Sequence, residues 1–126
     1  MNADKTSLDG ISEKVLAAVF EVSNTLGTGF LESVYRRALI RELSLRGLRA
    51  RGEASLTVMY KGQSVGDYFA DILVEDALVV ELKCAEHFAN EHTAQCLNYL
   101  LASGRRVCLL VNFHRPKVEW KRIVLG

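Results

Sequence analysis

Near residue 49 the spacing of apolar side chains changes from every third or fourth residue to every second, and this limits the folds open to the chain. Upstream, Leu8, Ile11, Val15, Ala18, Val22 and Leu26 form the stripe of an amphipathic helix that begins near Ser7 and ends before Gly27. Gly27-Thr28-Gly29 breaks the chain. A second helix follows, with Leu31, Tyr35, Ala38, Leu39 and Leu43 inward and Gly47 as its stop. Downstream, Leu56, Val58 and Tyr60 alternate with Ser55, Thr57 and Met59, and Lys61-Gly62-Gln63 reads as a hairpin turn. Strands are expected from about Gly66 to Val74 and from about Leu78 to Cys84, joined by Glu75-Asp76-Ala77. Residues 91–103 return to helical spacing before Gly104. The β-rich run Val107-Cys108-Leu109-Leu110-Val111 suits a central strand, and Val118, Trp120 and Ile123 suit a last edge strand. The expected order is ααβββαββ, an α+β fold with a mixed β-sheet flanked by helices.

A length of 126 residues suits a single domain, 1–126, with one core. No apolar run approaches the ~20 residues of a membrane helix. The polar stretch Met1–Ser7 lacks the apolar segment of a secretion signal, so a cytoplasmic protein with no membrane partner is expected. The three cysteines, Cys84, Cys96 and Cys108, contain no CxxC pair, which argues against a disulfide framework or a zinc or iron–sulfur cluster. The net charge of +1 hides a basic run. Arg36, Arg37, Arg41, Arg46, Arg49 and Arg51 are opposed within that run only by Glu42, and His114, Arg115, Lys117, Lys121 and Arg122 form a second basic stretch. Such clusters are either a footprint for phosphates or a solvated face, and charge does not decide between them.

Glu81 and Lys83 lie in an otherwise apolar strand and, two residues apart, share a face. If buried, each ion costs several kcal/mol to desolvate; if exposed, the pair contributes at most ~1 kcal/mol. The pair is therefore either a solvated strand face or a maintained site. Asp71 bears on the choice. With a three-residue connection, Val74 pairs with Leu78 and Asp71 falls opposite Glu81. Directly opposed like charges destabilise a sheet unless a cation lies between them, and Mg²⁺ is held by one or two carboxylates with waters and substrate phosphates. On the helix at 91–103, His92, Gln95 and Tyr99 are three and four residues apart and line one face, either a solvated stripe or a polar wall beside the sheet. With Gly29 as N-cap, Glu32 falls at N3, where the helix dipole favours a carboxylate by ~0.3–1 kcal/mol. Alternatively, Glu32 is a third acid reaching the same cation.

Gly29-x-x-Glu32-x-x-Tyr35, Ala70-Asp71, Val80-Glu81-Leu82-Lys83 and His92-x-Ala94-Gln95-x-x-Asn98-Tyr99-Leu100 together resemble the bacterial GxxExxY protein family. The likeness continues through Leu110-Val111-Asn112-Phe113 to Lys121-Arg122-Ile123-Val124. That family is placed in the PD-(D/E)XK nuclease superfamily, and the motif set is similar to its RecB-type, lambda-exonuclease-like branch. The resemblance implies a PD-(D/E)XK nuclease-like core that hydrolyses DNA phosphodiester bonds with Mg²⁺ or Mn²⁺. Asp71 and Glu81 would be the principal metal ligands, with the Leu82 carbonyl and Glu32 as further ones, Glu32 direct or outer-sphere. Lys83 would orient or help deprotonate the attacking water, or stabilise charge on the phosphate; the surrounding carboxylates favour a charged, positioning ammonium. Gln95 and Tyr99 would position the water, Lys83 or the DNA backbone, and His92 would touch the same site. His114 stands where a glycine is expected, and Cys84 replaces an alanine. With no separate DNA-binding domain, affinity would come from the segment 36–51, including Arg36, Arg37 and Arg41, from a homodimer or from a partner protein. The alternative is a nucleic-acid- or protein-binding module that keeps the fold without turnover.

Overall fold

The computed structural model describes residues 7–126, so the polar stretch Met1–Thr6 lies outside the described residues. The elements are α1 (Leu8–Leu26), α2 (Glu32–Leu45), β1 (Ala50–Tyr60), β2 (Gln63–Val74), β3 (Leu78–Lys83), α3 (Asn90–Ser103), β4 (Val107–Asn112) and β5 (Glu119–Val124), in the order the sequence implies. The strands lie in one sheet in chain order. All neighbours are antiparallel except β3 and β4, whose parallel pairing requires the crossover that α3 provides.

Local chemistry sets most of the boundaries. The Ser7 hydroxyl accepts the Gly10 N–H at 3.0 Å and caps α1. Gly47, at φ 82°, ends α2, with the Leu48 N–H returning to the Leu43 carbonyl at 2.9 Å. α2 starts later than the motif suggests: its N-cap is the extended Leu31, so Glu32 is the first helical residue and not the third after a Gly29 cap. The Tyr35 hydroxyl is one cause. It donates to the Gly27 carbonyl at 2.6 Å and accepts the Phe30 N–H at 3.4 Å, which keeps residues 27–30 in a loop. β2 likewise begins at Gln63 and not near Gly66. Lys61 and Gly62 both take left-handed φ (47° and 83°), a two-residue turn that lets Tyr60 pair with Gln63 at once.

Helices cover both faces of the sheet. On one face, Ile11, Val15, Val19, Tyr35, Leu39 and Leu43 of α1 and α2 pack on Ile72, Val74, Leu78, Val80, Leu82, Leu109 and Val111. On the other, Cys96, Tyr99 and Leu100 of α3 pack on Leu73, Val79, Cys108 and Leu110. Central strands covered on both sides must be apolar throughout, and this makes the charged members of β3 conspicuous. β1 changes face in mid-strand. Ala50 packs toward α1 and α2, whereas Ala54 and Leu56 pack toward α3. The change falls at Glu53, whose φ is 49°. A Cβ on the neighbouring Gly52 would come within 2.9 Å of Ile40 Cδ1, so glycine lets the strand pass close to α2. Among the described residues, no helix is long and apolar enough to cross a membrane.

Candidate active site

The β2–β3 ladder pairs Val74 with Leu78, Leu73 with Val79 and Ile72 with Val80, the register expected from a three-residue connection. Glu75 and Asp76 form that turn with left-handed φ of 53° and 54°, and the Ala77 N–H donates to the Val74 carbonyl at 3.0 Å. One position further on, Asp71 and Glu81 face each other and side chains take over the pairing. The Asp71 N–H donates to Glu81 Oε1 at 2.8 Å, and the Leu82 N–H donates to Asp71 Oδ2 at 2.8 Å.

Glu81 is only 2% exposed. Burial, and then the charge of Asp71, push its pKa up to about 9 against the opposing Asp71 N–H. Burial beside Asp71 thus favours the protonated form of Glu81.

Lys83 is half-buried, and its ammonium donates to Gln95 Oε1 at 3.2 Å. Tyr99 is buried, and burial followed by the charges of Glu81 and Asp71 push its phenol upward, so it stays a proton donor. The Tyr68 ring meets Tyr99 edge-on, with centroids 5.6 Å apart. Gln95 and Tyr99 therefore form a wall of the site and not a solvated stripe. His92, from the same stripe, does something else. Its Nδ1 accepts the Ala89 N–H at 3.1 Å and caps α3, which has no capping side chain at Ala89.

Glu32 approaches from α2 and is half-buried. Desolvation and then the charge of Asp71 raise its pKa, while Lys83 and the Cys84 backbone N–H oppose the rise. Among the described residues, no three His, Cys, Asp or Glu side chains are gathered closely enough to hold a metal ion. Glu32 thus stands beside the acid pair without joining it. One helical turn on, Arg36 Nη1 lies 3.9 Å from Asp71 Oδ1 and its Nη2 lies 3.9 Å from Glu53 Oε1.

Arg37 and Arg41 are exposed on α2. The rest of the basic run is not the unopposed surface that sequence proximity suggests. Arg46 pairs with Glu42 at 2.7 Å, Arg49 with Glu75 at 3.4 Å and Arg51 with Asp76 at 3.4 Å. The β2–β3 turn, distant in sequence, brings in the last two acids.

Asn112, part of the Leu110–Phe113 run but given no role from sequence, is a structural residue. It is fully buried at the end of apolar β4. Its Oδ1 accepts the Ala85 and His114 N–H groups, each at 3.1 Å, and its Nδ2 donates to the Ala85 carbonyl at 2.7 Å. It thereby pins the chain just past Lys83. A lone amide in an apolar strand was the available signal. The glycine expected at position 114 is not required, because among the described residues the left-handed non-glycine ones are Glu53, Lys61, Glu75 and Asp76, and His114 is not one of them.

The donors suit a hard divalent cation. Asp71 and Glu81 supply carboxylate oxygens, and the Leu82 carbonyl lies on the same edge of β3 as the N–H that meets Asp71. A buried carboxyl beside a second acid is stabilised by a proton or by a bound cation.

A splayed hairpin that sets an aspartate against a Glu-x-Lys strand, with helices on both faces, is a PD-(D/E)XK nuclease-like core. The chain belongs to the PD-(D/E)XK nuclease superfamily, whose family model matches residues 9–123. No curated protein matches it. Among solved structures, the crystal structure of SSO0001 is similar over 92% of this chain, with a TM-score of 0.57 and 17% sequence identity. This chain spans 59% of the SSO0001 chain, and the likeness is one of fold.

Proposed function

We propose that the chain acts as a single-domain, Mg²⁺- or Mn²⁺-dependent nuclease that hydrolyses DNA phosphodiester bonds. The observation that carries this reading is the crosswise contact of Asp71 and Glu81 beside a lysine already held by Gln95. Asp71, Glu81 and the Leu82 carbonyl would hold the ion, with Glu32 acting through water. When bound, that ion would make a coordinated water more acidic and neutralise charge on the phosphate.

The chain's own residues would do the rest. Lys83, fixed by Gln95, would place its ammonium against the scissile phosphate or the attacking water. Tyr99 would donate a hydrogen bond toward the carboxylates or the phosphate. Arg36, Arg37 and Arg41 would neutralise flanking phosphates of the nucleic acid. His92 would shape the start of α3 more than contact substrate. Within the superfamily, the Gly29-x-x-Glu32-x-x-Tyr35 motif would place the chain in the GxxExxY family and a RecB-type branch. Three free thiols suit a reducing, cytoplasmic setting.

A binding module is the second reading, and one observation favours it. Met59, Tyr60, Val65 and Phe69 are exposed on the β1–β2 hairpin, a surface suited to a second copy of the chain or a partner protein.

Incubation with single- and double-stranded DNA tests both readings. The nuclease reading predicts cleavage that depends on Mg²⁺ or Mn²⁺ and is lost in Glu81→Ala and Lys83→Ala. Cleavage unchanged in either variant overturns it. DNA binding without cleavage under every metal condition favours the module.

A further inference from the structure

We propose that Arg36 is a resident counter-ion of Asp71 and that Glu53 is the positioning residue that takes its guanidinium over when a divalent cation binds. The inference rests on the reading of Asp71 and Glu81 as a cation site.

The two oxygens of Asp71 are not equivalent. Oδ2 accepts the Leu82 N–H at 2.8 Å, while Oδ1 faces Arg36 Nη1 at 3.9 Å. A cation approaching Asp71 would need Oδ1, the oxygen that Arg36 now faces. Two positive charges cannot share it cheaply, so the guanidinium must have somewhere to go.

Glu53 offers that place. Its Oε1 lies 3.9 Å from Nη2, the other arm of the same guanidinium. At 3.9 Å neither contact is a hydrogen bond, so Arg36 is shared between two carboxylates and committed to neither. A small side-chain rotation is enough to shift it from one to the other. The Arg36 side chain is 23% exposed, so it is shielded enough to be held and open enough to move.

The backbone at Glu53 gives independent support. Gly52↔Ile72 and Ala54↔Ala70 bracket it, which places Glu53 across the ladder from Asp71. Its φ of 49° lies in mid-strand and outside any hairpin turn, a conformation rare for a residue with a long side chain. Glycine or asparagine would suit that backbone better. Glutamate at this point supplies a charge next to Arg36, and such outliers cluster where function requires them.

Opposite effects on cation affinity follow. Arg36→Gln removes a competing charge and tightens Mn²⁺ binding. Glu53→Gln leaves Arg36 with Asp71 alone and weakens it. Each change is about fivefold, the upper reach of a partly exposed ion pair.

Calorimetric titration of Mn²⁺ into the wild type, both single variants and the double variant tests the idea, with the metal-free melting temperature as a check of folding. The deciding comparison is the double variant. If Glu53 acts through Arg36, Glu53→Gln has no effect in the Arg36→Gln background. Equal weakening in both backgrounds means that Glu53 attracts the cation directly and overturns the proposal, as does an unchanged affinity in Glu53→Gln. Glu53→Asn, which tolerates the left-handed backbone, replaces Glu53→Gln should that variant fail to fold. A wild type that binds no Mn²⁺ overturns the cation-site reading itself and this inference with it. Wild-type binding with unaffected variants overturns this inference alone.

Discussion

Asp71 and Glu81 are joined crosswise at the point where their strands separate. The main chain of Asp71 donates to the Glu81 carboxylate at 2.8 Å, while the Asp71 carboxylate accepts from the residue after Glu81, also at 2.8 Å. Each acid thus replaces a ladder bond that the diverging backbones no longer make. The same contacts bring like charges together, and the physical properties of the site follow from that conflict.

The first consequence is a pH-dependent stability. The folded-state pKa of Glu81 rises from 4.5 to about 9, so the folded protein keeps a proton that the unfolded chain has released. This contribution is fully present below the unfolded pKa and is lost as pH rises toward about 9, with a slope of at most about 1.4 kcal/mol per pH unit. Metal-free melting temperatures should fall between pH 5 and 9. Glu81→Gln should flatten that profile and raise the melting temperature at pH 8. An identical slope in this variant would place the titration elsewhere.

Gln95 should matter through Lys83. Removing its amide frees the ammonium it holds at 3.2 Å. Gln95→Ala should lower kcat roughly tenfold, with KM for DNA and the melting temperature nearly unchanged, whereas Lys83→Ala should lower kcat by roughly 10²-fold or more. A loss confined to KM would make Gln95 a substrate-binding group.

Tyr35 carries stability. Its fully buried ring stacks on Phe113 at 4.6 Å, and its hydroxyl bridges Gly27 and Phe30. Tyr35→Phe keeps the stack and strands the loop groups, at a cost of about 1–3 kcal/mol and a fall in melting temperature of roughly 4–11 °C. Differential scanning calorimetry measures it directly.

Asn112→Ala should cost about 2–4 kcal/mol, because it removes the partners of Ala85 and His114 together. Since Ala85 follows Lys83 by two residues, hydrogen exchange should rise first across residues 83–86. Uniform exchange over the chain would argue against local release.

Much of this was legible in the sequence, because hydrophobic period and turn chemistry are local. The order of elements, and the register that sets Asp71 against Glu81, came from alternation and a three-residue turn. What was not legible depends on distance in sequence. Nothing near Glu53 announces a left-handed residue in mid-strand, at the point where β1 passes from one core cluster to the other. The partners of Arg49 and Arg51 lie on a turn more than twenty residues away, so the basic run looked more open than it is. His92 fitted the polar stripe by spacing, yet the cap at Ala89 claimed its ring.

The most direct test of the central claim is anomalous diffraction from crystals soaked in Mn²⁺. The account predicts one ion bound by both the Asp71 and Glu81 carboxylates, with Arg36 turned toward Glu53. No ion at that position at millimolar Mn²⁺, or an ion elsewhere with Asp71 still facing Arg36, would contradict it.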